Sequence, residues 1–477
     1  YWQKLHYPFI CESYKIKDSN NWDDIVGSIN DESDKILSLM EDPNREKFSS
    51  KGLVIGYVQS GKTANFTALI SKALDSGYKL IVILGGMHDS LRIQTQNRLN
   101  SEILGFDDVV LQAKNIDPTI KEHYEQFGLD RRPTRVTTSR YMETNGVKSP
   151  MRAKGDFVQK DLLSDTLYPI EQYKSCVAVV KKNSKVLSRL KKWIDQCPEK
   201  VRNEIPLLII DDEADQASVD ANYIRNKKKL KKQTKGNINK SKLNAEATKI
   251  NKLIKGISES FQRSAYVGYT ATPFANVFID LHPSYDNLYP RNFIHILPKP
   301  EAYFGAKEIF GNDKIREAYV ITEGVEDKKK VQTTIAADGF PESLNQSIFS
   351  FLICMAIRIK RNEEGKAMSM LIHINHKNDD QESVYKAVED RLKDLKKIIN
   401  YKTRQGNNFR IQLEKVYNDV KLKGNLINKS RKKKGRSFFT FKTILKTIEN
   451  ILSENLIQLK KVNGESDDEL DYEIEPS

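Results

Sequence analysis

Short apolar runs alternate along the first 280 residues with stretches of helical spacing. Leu53-Val54-Ile55, Leu80 to Leu84, Val177 to Val180, Leu207 to Ile210 and Tyr266 to Tyr269 are each brief, dense in branched or aromatic side chains and bounded by turn formers, the pattern of strands buried on both faces. Ala64 to Leu74 places Phe66, Leu69, Ile70 and Ala73 at helical intervals. The reading is an α/β fold with a parallel sheet flanked by helices.

The N-terminal stretch "WDDIVGSINDESDKILSLMEDPNREKF" has helical spacing and is expected to pack on that fold, leaving 1–50 as a helical N-terminal segment. Residues 51–282 form the first lobe, with an insertion near 105–175, and 283–342 connect onward. From 343 a helix carrying Phe349, Phe351, Leu352 and Met355 precedes an expected strand at Met370 to Ile374. Residues 378–460 are charged and helical in pattern and are expected to be an insertion in a second lobe, 343–477. His373 and His376 sit three apart on the expected strand and so face opposite ways; they are assigned a structural role.

The 477 residues are 39% hydrophobic and 30% charged, with 78 Lys and Arg against 64 Asp and Glu, a formal charge of +14. That balance suits a polyanion without requiring one. Cys11, Cys176, Cys197 and Cys354 form no C-x-x-C pair, which argues against a disulfide framework or zinc site and for a reducing, cytoplasmic setting. No apolar run reaches the roughly 20 residues of a membrane span.

Chemistry enters at "GLVIGYVQSGKTANF". Gly56, Gly61, Lys62 and Thr63 fit G-x-x-x-x-G-K-[ST]. Glycines admit backbone N–H groups to phosphates, the lysine neutralises β and γ charge, and the hydroxyl ligates Mg²⁺. The strand before and helix after supply the dipole end that such a loop uses. The second half of the site is "PLLIIDDEADQAS", a buried strand ending in acid. Asp212 is the candidate Mg²⁺ holder and Glu213 the residue that polarises the attacking water; Asp211, one position closer to the strand, is the weaker metal candidate. In "SAYVGYTATPFANVFID" small hydroxyl residues, Thr270 and Thr272, follow a strand and can relay the state of the γ-phosphate region.

Candidate nucleic-acid contacts are Arg92, Gln94, Gln96 and Arg98 on the helix after the second strand, and Lys181 and Lys182 at the end of another. Backbone contact and solvated surface are both open for these. Two basic runs, Arg225 to Lys242 (with Lys227, Lys228, Lys229, Lys231 and Lys232) and Asn428 to Arg436, can neutralise backbone phosphates or form solvated loops.

In this order the blocks resemble the helicase-like ATPases of superfamily two. More closely, "GLVIGYVQSGKTANF", "LGGMHDSLRIQTQNRL", "IDDEADQAS" and "YVGYTATPFANVFID", with "LYPRNFIHILPKPEAYFGA" and "SMLIHINH", resemble the Z-one domain family over about residues 20–376. These are bacterial proteins described as ATP-dependent endonucleases. The resemblance implies a RecA-like P-loop lobe plus an incomplete second RecA-like lobe, ATP and Mg²⁺ as cofactors, DNA as partner, and a phage-defence setting beside nucleases or methylases. It carries phosphate binding onto Gly56, Gln59, Ser60, Gly61, Lys62 and Thr63, metal holding onto Thr63 and Asp212, catalysis onto Lys62, Asp212 and Glu213, and lobe coupling onto Thr270 and Thr272. An ATP-operated, protein-binding switch is the competing expectation. The arginine-bearing segment of such motors is missing and the chain does not open on Met, so it is expected to be the front part of a longer protein. No nuclease signature is found.

Overall fold

The computed structural model describes residues 2–17, 22–58, 61–104, 132–137, 143–144, 147–148, 157, 174–216, 218, 238–277, 288–300, 303–310, 328–337, 339–363, 368–374, 378–399, 403–430 and 438–461. The chain divides into two compact units, Tyr1–Tyr303 and Phe304–Ser477.

The first unit is built on seven strands, all parallel: β1 (Phe48–Ile55), β2 (Leu80–Gly85), β3 (Thr134–Arg135), β6 (Cys176–Val180), β7 (Leu207–Asp212), β8 (Arg263–Thr270) and β9 (Phe293–Ile296). Their spatial order is β3-β6-β2-β7-β8-β1-β9. A separate antiparallel pair, β4 (Glu143–Thr144) and β5 (Val147–Lys148), falls in the expected insertion near 105–175, most of which lies outside the described residues.

The continuous apolar runs are explained by helices on both faces. Along β2, Leu80, Val82 and Leu84 enter one core with Leu187, Leu190, Trp193, Ile250 and Ile254. Ile81 and Ile83 enter the other with Phe66, Leu69 and Ile70. Period-two alternation thus divides one strand between two buried layers. Each large aliphatic side chain so enclosed contributes about 1.5–3 kcal/mol relative to exposure.

The helix Lys62–Ser76 follows β1 and ends at Gly77, whose φ of 112° lets its N–H turn back to the last carbonyls. Helix Trp22–Leu39 packs on it: Lys72 Nζ meets Asp34 at 2.7 Å and the Asn30 carbonyl at 2.8 Å, and lies 4.6 Å from the Trp2 ring centroid. His295 on edge strand β9 bonds Glu32 of the same N-terminal helix at 2.6 Å.

The regular elements of the second unit are all helices among its described residues, the longer ones being Glu342–Lys360, Asn378–Ile399, Arg404–Ser430 and Phe441–Ser453. Ile348, Leu352, Ile353, Leu395, Leu413, Ile444 and Ile448 share its core. The hydroxyl of Thr440 caps the last helix by accepting from the Thr443 N–H at 3.3 Å. The expected strand at Met370 to Ile374 is not formed. These residues run as chain without ladder pairing, their side chains at least partly exposed, although Met370, Ile372 and Ile374 pack against the helical core. His373 is exposed and His376 lies outside the described residues. Among the described residues no helix is long and apolar enough to cross a membrane.

Gly52 on β1 tests the packing of the edge. A Cβ there would fall 2.1 Å from Cζ of Phe293. Gly52→Ala should therefore cost about 1–3 kcal/mol through overpacking, read as a lower urea midpoint at unchanged slope, and Phe293→Leu in that background should recover most of the loss. A Gly52→Ala protein as stable as wild type would mean that the ring is not held against β1.

Candidate nucleotide site

Strand β8 lies between β1 and β7, with Ile55 beside Thr270 and Asp212 beside Tyr269. The loops after all three strands therefore emerge at one carboxyl edge, where open α/β sheets bind ligands.

At the first loop, Gly61 adopts φ 85° at the N-terminus of helix Lys62–Ser76, and no side chain caps that helix. Only glycine takes this left-handed geometry without penalty. A Cβ on Gly56 would lie 2.9 Å from Cγ of Lys62, so the absence of a side chain lets the lysine stem cross the loop. Lys62 is buried and its Nζ donates to the Tyr57 carbonyl at 3.0 Å. The uncapped helix end, the bare glycines and the inward lysine fit a triphosphate. Thr63 is half-buried; Gln59 and Ser60 lie outside the described residues.

At the second loop, Asp212 accepts from the Glu213 N–H at 3.1 Å. Burial, and then the adjacent Glu213 carboxylate, push its pKa up to about 6 against the opposing pull of Lys182 and Lys62. Glu213 has φ 54°, a left-handed conformation that costs a non-glycine residue about 1–2 kcal/mol. Neighbours hold it there. Ala214 N–H donates to the Tyr269 carbonyl at 2.9 Å, Gln216 N–H to the Glu213 carbonyl at 2.9 Å, and Asn276 Nδ2 to the Ala214 carbonyl at 3.0 Å.

The third loop is tied to the second. Thr270 Oγ1 donates to Asp215 at 2.8 Å and Thr272 Oγ1 to its other oxygen at 2.7 Å, while Thr272 N–H donates back to Thr270 Oγ1 at 2.9 Å. Asp215 was given no role from the sequence, although a carboxylate three residues past the end of β7 and hydroxyls at and just past the end of β8 are natural partners. Among the described residues no group of three or more His, Cys, Asp or Glu side chains forms a ready cation cage. A Mg²⁺ ion here would take most of its ligands from phosphate and water, as that ion commonly does.

The nucleic-acid candidates separate. Arg92 and Gln96 are buried: Arg92 Nε meets Asp89 at 3.2 Å, and Gln96 bonds Asn100 at 3.0 Å and Thr137 at 2.7 Å. Lys182 is also buried, among the carboxyl ends of the strands. These three do not offer the surface contact expected of them, because helix Asp89–Leu99 turns the Arg92–Gln96 face inward and Lys182 is drawn in by acid. Gln94 is exposed, Arg98 is half-buried and paired with Glu102 at 2.8 Å, and Lys181 stands 3.7 Å from Asp89. Lys227, Lys228, Lys229, Lys231 and Lys232 lie outside the described residues.

The raised Asp212 pKa has a consequence for stability. Its folded value, about 6, exceeds the ordinary 3.8, so the fold favours the protonated form, and stability from this group is lost as pH rises from near 4 to near 6. Asp212→Asn in metal-free buffer should raise the melting temperature at pH 8 and have little effect at pH 4. An equal effect at both would show that Asp212 is not desolvated.

Among known proteins, no curated protein and no solved structure matches the chain. The family model of the Z1 domain matches residues 343–477, within the helical unit, and overlaps the span of about 20–376, on which the motif resemblance was read, only over 343–376.

Proposed function

We propose that this chain is a Mg²⁺-dependent ATPase with a RecA-like P-loop lobe, and that its turnover drives work on DNA. The observation that supports this most is the meeting of the Lys62 loop, the Asp212–Glu213 turn and the Thr270–Thr272 loop at the ends of three adjacent strands, the last two loops joined through Asp215.

Backbone N–H groups around Gly56 to Thr63 would receive the phosphates, with Gln59 and Ser60 assigned from the sequence motif. Lys62 would exchange the Tyr57 carbonyl for phosphate oxygens. Thr63 and Asp212 would hold Mg²⁺, with Asp212 kept ionised by the cation. Bound Mg–ATP supplies the electrophilic γ-phosphorus and its leaving group. The Glu213 carboxylate would orient the attacking water and draw on its proton. A shift of the acidic turn would pull on Asp215 and so on the hydroxyls of Thr270 and Thr272, which would carry the change outward.

For DNA, the remaining cationic candidates are Lys181, Arg98 and the runs from Arg225 to Lys242 and from Asn428 to Arg436. A nuclease or methylase partner in a phage-defence setting is part of the same proposal and rests on the motif resemblance alone. One observation favours a second reading, an ATP-operated protein-binding switch. Arg92, Gln96 and Lys182 are committed inside the protein, which leaves the described residues with fewer groups to offer a DNA backbone.

Lys62→Ala should weaken Mg–ATP binding about 10–100-fold in calorimetry, the worth of a charge-assisted bond. Glu213→Gln should bind Mg–ATP within a few-fold of wild type and lose about 10²–10⁴ in turnover. Turnover without nucleic acid, and with duplex, single strand or RNA, separates the readings: DNA stimulation supports the motor, and no stimulation by any of them supports the switch. Unaltered hydrolysis in both variants would remove this site from nucleotide chemistry.

A further inference from the structure

Lys182 has an environment unlike that of any other lysine described. Its side chain is fully buried, as is that of Asp211, and Nζ lies 3.0 Å from Asp211 Oδ1. The same ammonium donates to the carbonyl of Asp212 at 2.7 Å and to that of Glu213 at 2.5 Å. The other oxygen of Asp211 accepts from Tyr266 Oη at 2.6 Å. The Lys182 backbone is fixed too, its N–H donating to the Gly86 carbonyl at 2.7 Å. An ammonium has three protons to give; the carbonyls of Asp212 and Glu213 accept two hydrogen bonds, and Asp211 Oδ1 faces the same charge as an ion-pair partner.

Burying a lysine and an aspartate together is rarely a route to stability, since apolar residues of similar size commonly do as well or better. The pair is better explained by what it grips. Two of its three oxygens are the carbonyls that flank the peptide units of the acidic turn, and Glu213 is the residue held left-handed between them. Rotating Glu213 toward ordinary helical or extended angles would swing its carbonyl off Nζ at once.

We propose that Lys182 is a positioning residue for hydrolysis: by clamping the carbonyls of Asp212 and Glu213 from beneath, it fixes the left-handed turn and with it the direction of the Glu213 carboxylate. Lys182 touches no substrate atom in this role. It also connects the Gly86 loop after β2 to the catalytic turn, so a shift of that loop reaches Glu213 through one side chain. This inference rests on the nucleotide reading above.

The test is a separation of binding from turnover. Lys182→Met alone strands the Asp211 charge in the interior and can unfold the protein, so the deciding variant is Lys182→Met with Asp211→Asn. It removes both charges and keeps an acceptor for Tyr266. This variant should melt cooperatively near wild type and bind Mg–ATP in calorimetry within about threefold, because the Lys62 loop is untouched. Its kcat should fall about 10–100-fold, the scale of loss when a reacting group is displaced by about an ångström, and not below that of Glu213→Gln. A purely structural pair would instead leave kcat per folded molecule unchanged, and that result overturns the proposal. So does a variant whose affinity falls in step with kcat. Failure of the nucleotide reading itself shows in wild type, which would then neither bind nor hydrolyse Mg–ATP, and the inference would fall with it.

Discussion

Everything at the carboxyl edge follows from the parallel pairing of β8 with β1 on one side and β7 on the other. Neighbouring strands stand about 4.8 Å apart, so the residues past three of them lie within about 10 Å, the reach of a triphosphate and its cation. The middle strand serves both neighbours with side chains as well as ladder bonds. Tyr269 Oη donates to Asn65 of the helix behind the phosphate loop at 2.9 Å, and its ring meets Phe66 edge-on at 5.5 Å. Tyr266 Oη reaches the other way, to Asp211. Gly268 between them has no Cβ because one would sit 2.9 Å from the Cβ of Ala214, where the acidic turn folds back. A two-residue slip of β8 would misplace all of these together.

Polar groups buried beneath that edge have to be satisfied by one another, and the protein has concentrated the cost on one turn. A left-handed Glu213, a carboxyl at Asp212 pushed toward neutrality, and a sequestered Lys182–Asp211 pair occupy three consecutive positions on β7 and its exit and one on the exit of β6. Strain and desolvation of this kind persist where the surroundings over-determine them. Here those surroundings are the hydrogen bonds from Asn276, Ala214 and Lys182, none of which would be needed to end a strand in a plain loop.

How far the sequence disclosed this depended on which force set each position. The strands at Leu80, Val177, Leu207 and Tyr266 were legible because burial on both faces demands an unbroken apolar run, and the structure has a strand at each. Met370 to Ile374 has the same composition but packs Met370, Ile372 and Ile374 on a helical core without a ladder, leaving Leu371 exposed. The three motif loops were legible because their residue types stand at fixed offsets from strand ends. The fates of Arg92, Gln96 and Lys182 were not. A polar residue on a helix or past a strand is normally solvated, and what draws Gln96 and Lys182 inward is a partner distant in sequence: Thr137 for Gln96, 41 residues on, and Asp211 for Lys182. Asp215 stayed without a role for the same reason, since its two partners lie 55 and 57 residues away.

The division between the units has a similar origin. Phosphate chemistry restricts a few positions to one or two residue types, so a short loop is conspicuous even when the rest of its lobe varies. Helix packing restricts many positions weakly, since any side chain of about the right size and polarity serves. Such a pattern is spread over whole helices, like that of Ile444, Ile448 and Ile451 on the last helix, and is recovered by matching its whole length. The motif resemblance accordingly rested chiefly on the sheet unit, with "SMLIHINH" from the helical one, and the Z1 match on residues 343–477. The two therefore bear on different questions. The loops of the sheet unit bear on nucleotide chemistry, while the helical unit carries the stretch similar to the Z1 domain and, in its described residues, none of the groups on which the proposed hydrolysis depends.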